Sequence, residues 1–252
     1  MSSTQTAADE LRQILTDYCS SLRTMCAVIE RMRNLLNKVA DDQRCDLLAS
    51  IRYSNGHTVL TRAAFIGHTQ LCVTLLSSLP QADRLKLILD DKHTALHSAA
   101  AEGHTETVSG ELNGLTAEQR LDLLFTGHII GDTALHTAAR EGHTETVKAL
   151  LDNLTPEQQL HLLFTKNSVG DTALHYAALW ERPETVKTLL DNLTPESQLK
   201  LLSVKNGIGK TASQQPLGIF RTTDTMRTLE QYQIEADYRV NYRKFASLIS
   251  YA

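Results

Sequence analysis

Short apolar stripes at helical spacing, each closed by a polar turn, run through most of the chain. In 133–171, Leu135, Ala138 and Ala139 fall at i, i+3 and i+4 on one face of a short helix that Thr133 can N-cap. Gly142 suits a left-handed helix stop. Val147, Leu150, Leu151 and Leu154 then follow i, i+3, i+4, i+7 and predict a second helix. Thr155-Pro156-Glu157-Gln158 reads as a cap, a proline at the first helical position and a capping box. It opens a third short helix that buries Leu160, Leu163 and Phe164. Thr165 to Asp171 is polar, contains Asn and Gly, and predicts a turn into the next unit.

The same unit recurs. Thr94-Ala95-Leu96-His97-Ser98-Ala99-Ala100 returns from Thr133 and again from Thr172, with a weaker copy from Thr58 and a decayed one from Thr211. The anchoring threonines are 36, 39, 39 and 39 residues apart, which defines repeats over 58–93, 94–132, 133–171 and 172–210. Helices are expected near 59–66, 69–78 and 82–89, with the same triplet in the later units.

The ends depart from the pattern. Asp42 to Leu48 matches Glu118 to Leu124, so 35–57 reads as the back half of a degenerate first repeat. Upstream, Leu11, Leu15, Tyr18, Leu22, Met25, Ile29, Met32 and Leu36 alternate by four and three with no Gly or Pro between them. One long helix over 10–38 is expected, folded back as a cap on a monomer or pairing with a second copy as a coiled coil. Ile14, Val28 and Leu35 widen its stripe, which favours the cap. Past Thr211, Pro216 and Gly218 spoil the first helix of a degenerate capping repeat, 211–252. Its segment 226–250 predicts a helix with Tyr238, Tyr242, Phe245 and Ile249 on one face, closing the stack.

TALHxAAxxGHxExVxxLL resembles the ankyrin repeat family, whose signature is TPLHxAAxxGHxxxVxxLL. The resemblance is strong over 58–210 and implies an all-α solenoid with helical N- and C-terminal caps. It also implies that His97, His136 and His175 brace loop to helix by hydrogen bonds. Two departures stand out: the unit is six residues longer than usual, which supplies the LTPEQ helix, and Ala replaces Pro after the anchoring Thr.

Composition sets the class without changing this picture. Apolar residues are 42% and charged residues 21%, as in globular proteins. The net charge is −4, with Lys and Arg spread along the length, which argues against nucleic acid or a membrane surface as partner. MSSTQTAADE is unlike a secretory signal, and Cys19, Cys26, Cys45 and Cys72 form no CxxC pair; free thiols in a reducing, cytoplasmic setting are expected.

Candidate chemistry is sparse. His68, His104 and His143 share one repeat position and His97, His136 and His175 another, so each set is strung out on rungs roughly 10 Å apart, too far to share a metal. Gly207-Ile208-Gly209-Lys210-Thr211 lacks the spacing of a phosphate loop. No cofactor, metal or catalytic residue is expected.

The reading is therefore a scaffold or adaptor that binds a protein or peptide, the resemblance implying a concave groove of turn tips and first helices. A regulatory portion of a larger enzyme, such as a kinase or ligase chain, and an effector secreted by an intracellular bacterium are the alternatives. Expected contacts are the pairs after the two alanines, Phe65-Ile66, Ala101-Glu102, Arg140-Glu141 and Leu179-Trp180. Tyr176 joins them, with the tip residues Ile129, Ile130, Val169 and Ile208. The late tyrosines Tyr232, Tyr238, Tyr242 and Tyr251 are expected to pack in the cap, a partner contact or phosphorylation being the other possibility.

Overall fold

The first helix of each repeat carries Leu-x-x-Ala-Ala, and in the computed structural model that stripe is covered almost completely: Leu96, Ala99 and Ala100, like Leu135, Ala138 and Ala139, are fully buried. The structure describes residues 3–20, 25–53, 56–90, 94–128, 130–191, 193–214 and 223–249. Among them are sixteen α-helices. The chain divides into two compact units, Met1–Leu123 and Leu124–Ala252, the division falling inside one third-position helix.

The first unit begins with α1 (Ser3–Ser20), α2 (Met25–Leu36) and α3 (Asp41–Ser50). Two full triplets follow: α4 (Val59–Ile66), α5 (Thr69–Ser77) and α6 (Gln81–Leu89), then α7 (Ala95–Ala101), α8 (Thr105–Asn113) and α9 (Ala117–Phe125). Helices stack on their equivalents, α4 on α7, α5 on α8, α3 on α6, and α2 on α5. The helices of the first triplet match the expected spans to within a residue.

The N-terminal expectation needs correction. In place of one long helix over 10–38 there are two, α1 and α2, packed side by side. Thr6 and Ala7 line one cavity with Leu35 and Val39, so the start of α1 lies beside the end of α2. A continuous helix over 10–38 would be about 43 Å long, whereas the helices it must cover have 8 to 10 residues each. A hairpin fits that end and a single rod does not. Leu11, Ile14, Val28, Ile29, Met32, Leu35 and Leu36 are all buried, so the described part of the stripe is used inside the chain. The side chains of Leu15, Tyr18, Cys19, Leu22, Met25 and Cys26 lie outside the described residues; Cys45 and Cys72 are free and buried.

The second unit holds two triplets and a cap. They are α10 (Ala134–Glu141), α11 (Thr144–Leu151) and α12 (Pro156–Phe164), then α13 (Ala173–Leu179), α14 (Pro183–Asp191) and α15 (Pro195–Leu202). Thr155 and Gln158 form the expected capping box on α12. That helix buries Leu162 and Leu163, leaving Leu160 and Phe164 half-buried. A 3₁₀ turn, Ala212–Gln214, replaces the next first helix; Pro216 and Gly218 lie outside the described residues. The last element, α16 (Thr223–Ile249), packs on α14 and α15.

The extra third helices are tied back by one recurring position. Arg44 Nε donates to Leu36 O (2.7 Å), Arg120 Nε to Leu112 O (3.3 Å), Gln159 Nε2 to Leu151 O (3.0 Å) and Gln198 Nε2 to Leu190 O (2.9 Å). Arg84 does the same with Leu79 O (3.3 Å). Each long side chain satisfies an orphan carbonyl where the second helix ends.

One second helix breaks the pattern. Glu111 stands where Leu75, Leu150 and Leu189 fill the core in the other repeats, and it is fully buried with neither carboxyl oxygen hydrogen-bonded. Burial pushes its pKa up to about 8. Between pH 4.5, its ordinary value, and about 8 the unfolded chain releases this proton while the folded chain keeps it, so stability falls as pH rises through that window. Replacing Glu111 with Leu should raise stability at pH 8 by roughly 3–5 kcal/mol and much less at pH 4.5. Urea unfolding at both pH values checks this; an equal change at both would contradict it.

Candidate interaction surface

In the second unit the polar turns between repeats become tight hairpins. His128 N bonds Asp132 O (2.8 Å), Asn167 N bonds Asp171 O (2.9 Å) and Asn206 N bonds Lys210 O (2.8 Å). Successive tips are joined backbone to backbone, Ser168 N to Ile130 O (2.9 Å) and Gly207 N to Val169 O (2.9 Å). The approach is so close that a Cβ on Gly170 would meet Gly207 N at 2.4 Å, and Gly170 also holds a left-handed φ of 81°. Ile130, Val169 and Ile208 occupy one position on the three tips and are all exposed. Ile129 lies outside the described residues.

Buried polar groups hold these tips from behind. Asn167 Oδ1 accepts from Val169 N (3.1 Å) and Asp171 N (2.9 Å), while its Nδ2 donates to Asp132 Oδ1 (2.6 Å) and Tyr176 Oη (3.0 Å). Asn206 repeats this, donating to Asp171 Oδ1 (2.8 Å) and accepting from Ile208 N (3.2 Å) and Lys210 N (3.0 Å). His136 Nδ1 accepts from Thr133 N (3.2 Å) and its Nε2 donates to Asp171 O (3.0 Å). His175 bridges Thr172 N (3.2 Å) and Lys210 O (3.1 Å) the same way. Each neutral ring is capping its helix and fixing the next tip, and burial lowers both pKa values.

Tyr176 therefore belongs to the bracing and not to the surface. It is only 8% exposed, its ring meets the edge of His136 at 5.9 Å, and burial raises its pKa to about 12. It shares the repeat position of Ser98 and Thr137, which are also buried; the larger side chain reaches the tip network. Trp180, four residues on, is 53% exposed at the end of α13, beside half-buried Leu179. Here Glu181 takes the left-handed φ (55°) that Gly142 supplies one repeat earlier, and Arg182 replaces His143, its Nε donating to Arg140 O (3.0 Å). Arg140 and Glu141 are half-buried and paired at 2.8 Å.

In the first unit Phe65 and Ile66 are both exposed, with the Arg62 guanidinium 5.6 Å from the Phe65 ring centre. His104 Nε2 donates to Phe65 O (3.1 Å), and Glu102 lies exposed at the end of α7. These residues and the tip ridge are in different units.

Among the described residues no group of three His, Cys, Asp or Glu side chains could hold a metal. Gly207 to Thr211 forms the ordinary repeat hairpin and not a phosphate cradle. A family model of ankyrin repeats, in three copies, matches residues 113–200. The chain carries ankyrin repeats over this stretch. Its fold is an all-α ankyrin-repeat solenoid, and ankyrin repeats are in general protein–protein interaction modules. No similar curated protein was found.

The Asn–Asp pairing behind the tips went unread in the sequence, although Asn167 and Asn206, like Asp132 and Asp171, recur at the repeat spacing. Replacing Asn167 with Ala removes four hydrogen bonds at a site where the partners stay buried. The expected loss is about 2–4 kcal/mol, against roughly 1 kcal/mol for Tyr176→Phe, both read by chemical denaturation. A near-neutral Asn167→Ala would show that the tips do not depend on this brace.

Proposed function

We propose that the chain is a protein-interaction module without catalysis, and that its second unit holds a partner on the tip ridge and at Trp180. The observation that carries this reading is the row Ile130, Val169 and Ile208. Three branched apolar side chains stand exposed where turns ordinarily carry polar residues, on rungs fixed to one another by backbone bonds. A ridge held this rigidly loses little entropy on binding. Trp180 adds a large, exposed side chain of the kind that dominates interface energy.

Charge narrows the partner. Lys166 and Lys205 are exposed beside the ridge, Asp132 and Asp171 are buried in hydrogen bonds, and the aspartate series ends in Lys210. The fitting partner is a protein segment with apolar side chains flanked by acidic ones. Phe65 and Ile66 offer a second, smaller contact in the first unit. Free, buried thiols at Cys45 and Cys72 support a reducing, cytoplasmic setting, and no helix among the described residues is long and apolar enough to cross a membrane.

The chain and its Ile130→Ser/Val169→Ser/Ile208→Ser variant, immobilised and exposed to the same lysate, should differ by loss of the partner from the variant. With that partner purified, Trp180→Ala should weaken binding by at least about 2 kcal/mol, roughly thirtyfold. The wild-type interaction can be followed through the fluorescence of this single tryptophan. A partner kept equally by all three folded proteins would remove this surface.

A further inference from the structure

Tyr238 and Tyr242 of α16 do not pack on the stack. The helix is fixed to α14 and α15 by its other side: Thr225, Leu229 and Ala236 are buried, Tyr232 Oη donates to Asp191 Oδ1, and Arg243 pairs with Glu196 at 3.2 Å. Tyr238 sits about half a turn around from Leu229 and Ala236 at 100° per residue, so this docking turns it outward. Ile234, Tyr238 and Tyr242, at i, i+4 and i+8, are 70%, 68% and 61% exposed. The two tyrosine rings stack with centroids 6.1 Å apart and planes 22° from parallel. The sequence continues the spacing with Phe245 and Ile249, whose side chains lie outside the described residues.

Three large apolar side chains on consecutive turns, exposed by more than three-fifths each, form a stripe that water does not favour. The charges beside it divide at its centre. Before Tyr238 come Glu230, Glu235 and Asp237, and after it Arg239, Arg243 and Lys244. Within the chain Glu235 pairs with Arg239 at 2.5 Å, and Asp237 accepts from Gln233 at 3.0 Å. Glu230, Glu235, Asp237, Arg239 and Arg243 are all exposed, Arg243 while paired with Glu196.

We propose that α16 is a self-association surface on which a second copy pairs antiparallel about Tyr238. In that arrangement Ile234 of each copy meets Tyr242 of the other, the two Tyr238 rings meet at the twofold axis, and each acidic half faces a basic half. A parallel copy would set acid against acid and base against base. The stripe is thus complementary to itself in one orientation, the requirement for an isologous twofold contact. A single helix pair is a small interface, so a dimer in the micromolar range is expected in place of an obligate one.

Sedimentation equilibrium of the full chain tests this. Wild type should show a monomer–dimer equilibrium with a Kd of about 1–100 μM, weakened by added salt. Tyr238→Glu/Tyr242→Glu should weaken it at least tenfold with helicity unchanged by circular dichroism. Glu235→Lys/Asp237→Lys should dimerise poorly at low salt and recover as salt is added, the reverse of wild type. A wild-type chain that stays monomeric at several hundred micromolar overturns the proposal, as does a dimer that survives the tyrosine changes. A charge variant that dimerises as wild type does overturns the antiparallel arrangement.

Discussion

A first helix of seven or eight residues is too short to persist alone in water, and everything else in this chain follows from how its stripe is covered. Leu-x-x-Ala-Ala puts one large and two small side chains on the buried face. The alanines let the next first helix approach until all three are removed from solvent, as at Leu135, Ala138 and Ala139, where α13 stacks on α10. Each repeat is then a surface that needs another repeat, and the two ends need something different. The hairpin of α1 and α2 and the long α16 meet that need with helices that carry no copy of the motif.

Close stacking of the helices forces close stacking of the turns. The tips of the second unit come near enough to bond backbone to backbone, and only Gly fits at the tightest rung. Buried polar groups would be costly there without partners, and the chain supplies them in a repeating set, with Asn for the loop amides, Asp for the Asn and His for helix cap and loop together. Tyr176 is drawn into this set. What is left facing water is the outer row of Ile130, Val169 and Ile208, backed by this network.

Much of this was legible in the residues. Repeat spacing, the Thr caps, the Gly stop at Gly142 and the Pro156 start depend on a residue and its near neighbours, and they appear where the pattern puts them. The failures share one cause. Whether 10–38 is one helix or two depends on the size of the surface it must cover. Whether Tyr176 faces out depends on the loop of the preceding repeat, where Asn167 meets it, and whether Tyr238 and Tyr242 cap the stack depends on which side of α16 docks. An apolar stripe states that a face will be covered and not by what. The exposed tip residues Ile130, Val169 and Ile208 stand out as expected, because a turn tip is exposed by the fold itself; Trp180 stands exposed as well, set apart by the local departure at Glu181.

A preformed ridge requires tips that are rigid although they lie at the surface. Amide hydrogen exchange of the free chain tests that directly, since exposed turns exchange within seconds unless their bonds hold. Ser168 N and Gly207 N, which join successive tips, should exchange as slowly as amides in the buried helices α10 and α13, while Lys166 N and Lys205 N, which have no backbone partner among the described residues, exchange fast. Rapid exchange at Ser168 and Gly207 would mean that the ridge is loose, and that no preformed binding surface exists there.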